Sequence, residues 1–270
     1  MFPGLCSLVD FYENKPPKGK FILLSDSQND GSFLVNHFLS LYAKGGFRIC
    51  FLTLSQSFIH YCNVAQKLGI NLNTACDNSQ VKHIDGLHLI SKGLSANQNK
   101  DEALHTEKNP FVNIRNLDFS LEELYKQIRS WVTIRGNEPC LLLIDDISIL
   151  LSLGVTVKTV KDFCHYCTDL MCYGKDVVSG CFVCLVHCDA DVDDDMSMLL
   201  WRQLCHMAHI EMHVEGLSSG YCKDVHGQLV LTWREPDDPR PKPYKKTTTQ
   251  YKIQDRMVTF FAPGTSKAVL

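Results

Sequence analysis

Short apolar runs alternate with helical stripes along the chain. Lys20–Leu24 (KFILL) is apolar throughout and predicts a strand, after which Ser25-Asp26-Ser27-Gln28-Asn29-Asp30-Gly31-Ser32 reads as a polar loop. Leu34, Phe38 and Leu41 recur at i, i+4 and i+7, and Gly45-Gly46 closes the segment, so a helix with a glycine C-cap follows. Arg48–Leu54 (RICFLTL) predicts a second buried strand. A helix through Val64 and Leu68 stops at Gly69, and Val81–Ile84 predicts a third strand. This βαβα order is the pattern of a largely parallel sheet covered by helices.

Ser91–Pro110 is polar, nearly free of β-branched residues and ends in Asn-Pro, which predicts a mobile loop. Ser120-x-x-Glu123 is a capping-box signature opening a helix through Leu124, Ile128 and Trp131. After Pro139, Cys140–Asp146 (CLLLIDD) is an apolar strand ending in two carboxylates. Thr156–Cys172 predicts a helix, Gly180–His187 a strand, and Met196–Met207 a helix leading into His209–Val214. Two hairpins are expected in the last third. Asp224–Gly227 would join Gly220–Lys223 to Gln228–Trp233, and Asp255-Arg256 would join Gln250–Gln254 to Met257–Phe261. Arg234–Thr249, with four prolines and both charge signs, reads as a loop. The chain thus predicts one α/β domain over residues 1–270, a mostly parallel sheet flanked by helices with C-terminal antiparallel hairpins. No internal repeat is visible.

Composition narrows this only slightly. The 270 residues carry 27 Lys+Arg against 30 Asp+Glu, a formal charge of −3, which argues against coating nucleic acid by bulk charge. Hydrophobic residues at 45% and charged residues at 21% are ordinary globular values. No apolar stretch approaches the roughly 18–20 residues of a transmembrane helix. Asp10 and Glu13 interrupt the N-terminal segment, so no signal peptide is expected. The 13 cysteines, an odd number, leave three readings: core thiols, a zinc site, or redox chemistry.

The loop after the first strand stands where a phosphate-binding P-loop belongs. In the G-x-x-x-x-G-K-[ST] register the chain supplies Ser25, Asp30, Gly31 and Ser32, so only the last position survives. Asp26 and Asp30 would lie beside a polyphosphate, and a like-charge pair at about 4 Å costs about 4 kcal/mol at an effective dielectric of 20. Asp30 instead suits the start of the following helix, where a carboxylate is favourable. The strand ending in Asp145-Asp146 has the shape of a Walker B element, in which one carboxylate orients Mg²⁺. Together these suggest a P-loop NTPase architecture whose phosphate site has been dismantled.

Other clusters yield blander readings. Cys164-x-x-Cys167 and Cys181-x-x-Cys184 resemble a four-thiolate site in spacing. The first pair, however, lies on the apolar stripe of a helix, and the second points to opposite faces of a strand. No metal site, cofactor or catalytic residue is therefore expected. Five carboxylates between Asp189 and Asp195 lack the Gly and Glu of an EF-hand and read as a solvated acidic loop. Arg240, Lys242, Lys245 and Lys246 with Tyr244 form a small basic segment that could touch phosphate, though solvated loop lysines are the preferred reading of such a run.

Asp30–Tyr42 (DGSFLVNHFLSLY), Leu141–Gly154 (LLLIDDISILLSLG), Tyr221–Arg234 (YCKDVHGQLVLTWR) and Tyr251–Leu270 (YKIQDRMVTFFAPGTSKAVL) resemble the family of sixth subunits of the Elongator complex. The resemblance implies a RecA-like fold without the Walker ATPase motif. It also implies assembly with the fourth and fifth Elongator subunits into a hexameric ring, two copies of each, in cytoplasm and nucleus and with no membrane contact. That ring is associated with tRNA binding and supports modification of wobble uridines, while the chemistry belongs to another subunit. Loops after the central strands of such rings face the pore, here Leu153–Lys158 and Cys188–Met196. RNA contact in this chain would then come from Lys158 or from Lys242, Lys245 and Lys246 rather than from the acidic loop. Two alternatives stand beside a non-catalytic ring subunit: an ATPase subunit using Asp145 and Asp146 at a shared interface, and a thiol- or zinc-dependent protein.

Overall fold

The apolar runs become the middle of one sheet. The computed structural model describes residues 1–96, 109–116, 118–135, 138–188, 195–217, 220, 222–234 and 244–264. A short helix, α1 (Pro3–Val9), precedes β1 (Lys20–Ser27), α2 (Ser32–Lys44), β2 (Arg48–Thr53), α3 (Phe58–Lys67), α4 (Leu72–Asp77), β3 (Val81–Asp85) and α5 (Gly86–Ala96). Then come α6 (Glu122–Val132), β4 (Cys140–Asp145), α7 (Ile149–Ser152), α8 (Val157–Thr168), β5 (Gly180–His187) and α9 (Asp195–Met207). The strands β6 (Ile210–Glu215), β7 (Gly227–Trp233), β8 (Lys245–Ile253) and β9 (Val258–Phe261) follow. The nine strands lie in the order β3-β2-β4-β5-β1-β6-β7-β8-β9, parallel from β3 to β6 and antiparallel beyond. This arrangement is consistent with a RecA-like fold.

Both sheet faces are covered, which is why the central strands are apolar without alternation. Phe21 and Leu23 of β1 face a core built with α6, α8 and α9, where the Phe21 and Phe182 rings stack at 4.7 Å. Ile22 and Leu24 face the opposite core, built with α1, α2 and α3. The cysteines follow the same division. Cys164, Cys167 and Cys184 share the first core while Cys181 lies in the second, so the sheet separates the fourth thiol from the other three. Burial pushes the thiols of Cys167, Cys181 and Cys184 well above their ordinary value, as for small hydrophobes.

Several sequence expectations are corrected. β1 runs three residues past Leu24, because β5 and β6 pair with it on both sides through Asp26. Ser25 and Asp26 are therefore strand residues, not loop residues. Ser120 does not cap α6: Leu121 holds the N-cap position with no side-chain bond, and Glu123 is drawn to Lys126 at 2.9 Å. Ser91–Ala96 continue α5 instead of opening a loop, and residues 97–108 lie outside the described residues. Gly220–Lys223 is not the hairpin partner of β7; β6 and β8 flank it instead. Lys245–Thr249 belongs to β8, where the β-branched Thr247, Thr248 and Thr249 pair with Leu231, Val230 and Leu229. Residues 235–243 of the expected Pro- and charge-rich loop lie outside the described residues. The β8–β9 hairpin forms as expected, with Ile253 opposite Val258.

Arg48 shows how one end of the sheet holds its helix layer. It is buried at the start of β2, and its guanidinium lies 4.1 Å over the Trp131 ring. Nη2 donates to the Trp131 carbonyl at 2.6 Å and Nη1 to the Val132 carbonyl at 3.3 Å, so a cation satisfies the last carbonyls of α6. Replacing it by methionine (Arg48→Met) keeps the aliphatic bulk and leaves those carbonyls unpaired. Urea denaturation should show a loss of about 2–3 kcal/mol.

Candidate functional site

Because β4, β5 and β1 run parallel side by side, their C-terminal ends deliver Asp145-Asp146, His187 and Asp26 to one end of the sheet. Open α/β sheets place their ligand sites there. The first helix past β1, α2, starts at Ser32, and its N-terminal N–H groups are the natural anion donors of such a site.

Those donors are taken by the chain's own carboxylates. Gly31 N–H donates to Asp26 Oδ2 at 2.7 Å, and Ser32 N–H donates to Asp30 Oδ1 at 2.7 Å. The Ser32 hydroxyl, which would face Mg²⁺ in a working P-loop, donates to Asp30 Oδ2 at 2.9 Å. The turn is also tied from behind. Asn29 Nδ2 donates to the His226 carbonyl at 2.8 Å and to the Tyr251 hydroxyl at 3.3 Å, fixing the turn to the residue just before β7 and to β8. The close approach depends on Gly227, since a Cβ there would lie 2.5 Å from Asn29 Nδ2. Ser25 lies buried within β1, its Oγ 2.9 Å from His213 Nδ1.

His187 ties the three strands together electrostatically. Its Nδ1 contacts Asp26 Oδ1, and its Nε2 lies 3.3 Å from Asp146 Oδ2. The bond to Asp26 raises the imidazole to about 9 against the opposing effect of burial, and Asp146 adds to the rise. At neutral pH the ring is therefore a cation held between two carboxylates. Asp146 sits in the left-handed region at φ +55°, a strained conformation stabilised where Ser148 N–H donates to its Oδ1 at 3.1 Å and Ser148 Oγ does the same. Asp145 turns away from His187 and accepts the Gln56 N–H at 3.1 Å. Burial raises the carboxyls of Asp145 and Asp146 above the usual range, while Tyr61 and the Gln56 and Ser55 N–H groups oppose it at Asp145, and His187 and Ser148 oppose it at Asp146.

The sequence singles out Asp26, Asp30, Asp145 and Asp146 but not His187, the partner of Asp26 and Asp146. His187 ended an apolar strand with no motif around it; the usable signal was the single charged-capable side chain at the end of β5, adjacent in the sheet to β1. Among the basic candidates, Lys158 is exposed in the first turn of α8, 4.0 Å from Asp162. Lys245 and Lys246 part company on β8. Lys245 lies 4.8 Å over the Trp233 ring, whereas Lys246 faces a cleft beside α9. Lys242 and most of the acidic loop lie outside the described residues.

The model of one protein family, Elongation complex protein 6, matches residues 2–255. The chain is 42% identical over 273 residues to Elongator complex protein 6 of Xenopus laevis and 40% identical over 271 residues to that of Homo sapiens, in each case covering the whole of both chains. It is 25% identical over 318 residues to the Dictyostelium discoideum protein of the same name, with 92% of this chain and 91% of the other covered. Among the described residues no helix is long and apolar enough to cross a membrane.

The ionic triad carries a signature in pH. A histidine at about 6.5 when unfolded and about 9 when folded contributes stability that is fully present below pH 6.5 and is lost as pH rises through 9. The denaturation midpoint should fall across that window, and His187→Gln should flatten the fall.

Proposed function

The chain belongs to the Elongation complex protein 6 family, and on that premise we propose that it is a non-catalytic subunit of the Elongator complex. In this reading a single RecA-like domain assembles with the fourth and fifth subunits into a hexameric ring, two copies of each. The ring binds tRNA and supports wobble-uridine modification in cytoplasm and nucleus, and this subunit needs no cofactor of its own. Lys158, Lys242 and Lys246 remain the candidate RNA contacts, while Lys245 is turned onto the Trp233 ring, away from the cleft that Lys246 lines.

One observation supports the non-catalytic part above all. The Gly31 N–H that would receive a phosphate oxygen is bonded to Asp26, whose second oxygen is held by His187. A nucleotide phosphate would have to displace a buried carboxylate and would find no lysine in its place, since Gly31 stands at that position of the motif. A RecA-like domain that cannot use its nucleotide pocket can still offer its faces to neighbours.

The second reading, a contribution to ATP hydrolysis across a shared interface, draws on Asp145. Its carboxylate stands at the end of β4, separated from β1 by β5 alone.

Co-expression of the untagged chain with tagged fourth and fifth subunits, followed by mass determination, tests the assembly. A two-two-two hexamer is the expected mass, and a chain that stays monomeric would overturn the ring. In the purified complex Asp145→Asn should leave ATP turnover within about twofold of the unmodified ring. A drop of a hundredfold or more, the size expected on removing a group that acts on the transferring phosphate, would favour the second reading.

A further inference from the structure

We propose that the cleft between α9 and the outer strands β6, β7 and β8 binds one nucleotide unit, a phosphate bearing a planar base. The unit belongs either to a free nucleotide or to single-stranded RNA. The RNA case rests on the tRNA-binding reading above; the free-nucleotide case does not. The cleft lies on the α9 side of the sheet, has a volume of about 730 Å³ and is far from dry, with polar and apolar walls. That size suits a small polar ligand.

Its cations are arranged for an anion. Arg234 follows β7 and donates through Nη2 to Glu211 Oε2 at 2.6 Å, while its Nη1 is buried with no acceptor among the described residues. The guanidinium therefore has donor capacity that the described residues leave unused. Lys246 on β8 and Arg202 on α9 also line the cleft and make no ion pair among the described residues. Glu211 does not cancel them. It is buried, and its charge is already consumed by Arg234, by Trp201 Nε1–H at 2.8 Å and by the Cys205 thiol at 3.1 Å. Burial pushes the Glu211 carboxyl up, but Arg234, Cys205 and Trp201 together outweigh it and hold the carboxyl below its usual range. Among the described residues Glu215 is then the one remaining acid of the lining to set against Lys246 and Arg202.

Flat faces accompany the cations. The Trp201 ring lies 5.7 Å from His213 at an interplanar angle of 33°, and His213 is anchored from below by Ser25. The Tyr244 ring is 61% exposed and lies under the Arg234 guanidinium at 5.3 Å. Exposed rings beside guanidinium groups stack bases regardless of base identity, with the phosphate taken by the nearby cations. A purely apolar partner would leave Arg234 Nη1, Arg202 and Lys246 without acceptors.

The alternating faces of β8 provide an internal control. Lys245→Glu and Lys246→Glu change the net charge equally, but only the second falls in the cleft. Binding of a fluorescently labelled single-stranded RNA oligonucleotide by the full chain, alone and co-purified with its Elongator partners, is followed by anisotropy; AMP and UMP are titrated calorimetrically. Lys246→Glu and Tyr244→Ala should each weaken binding by about tenfold, with affinity falling as salt rises, and Lys245→Glu should leave it within about twofold. AMP or UMP binding with the same dependence identifies a free-nucleotide site; RNA binding alone identifies an RNA site. Equal weakening by Lys245→Glu, or no binding of any of the three probes, overturns the proposal. So does loss of co-purification by Lys246→Glu with RNA affinity of the lone chain unchanged, which would make the cleft a protein interface. A chain that never joins a ring yet binds AMP through Lys246 would sink the ring reading and keep the cleft.

Discussion

A negative charge buried at the end of the two central strands is the constraint that organises this molecule. Asp26 cannot be left unmatched in a water-poor site, because an unpaired buried carboxylate would cost several kcal/mol. The match comes from three directions: an imidazolium on β5, a backbone N–H at the start of α2, and the register that sets Asp26 directly opposite His187. His187 must then be cationic, and Asp146 completes its coordination from β4. The same few atoms that close the ionic network also occupy the donors on which a phosphate would depend. The charge balance of the core and the occupation of those donors are two results of one arrangement.

The parallel half of the fold was legible because burial on both faces leaves a strong imprint: KFILL, RICFLTL, CLLLID and GCFVCLVH could hardly be anything but central strands. The C-terminal half was less so. The threonine run of β8 looked like loop because lysines and prolines surround it, and only pairing with β7 makes it a strand. Gly220–Lys223 looked like the first arm of a hairpin because a turn-like tetrapeptide follows it, but β6 was available as a neighbour and paired instead. Tertiary context decided both cases.

The site divided in the same way. Asp30, Asp145 and Asp146 could be placed from motif register and strand ends alone, whereas Asp26 read as loop and lies within β1. His187 could not be placed so, since its significance lies in a neighbour 161 residues away in the chain. Likewise, the basic pair Lys245-Lys246 read as one patch in sequence, and becomes two separate environments once a strand puts successive side chains on opposite faces. The cysteines show the reverse. Their periodicity already separated them, and the sheet lies between Cys181 and the other three thiols of the apparent four-thiolate pattern.

The Asn29 side chain has a mechanical consequence. The turn after β1 belongs to the parallel half, but its amide is bolted to His226 and Tyr251 in the antiparallel half. Loosening β7 and β8 therefore pulls on the very turn whose N–H groups hold Asp26, and disturbing Asp26 releases the anchor of the outer strands. The two halves are coupled like the leaves of a hinge whose pin has been driven through both, so a load on the outer strands reaches the centre of the sheet instead of being absorbed at its rim.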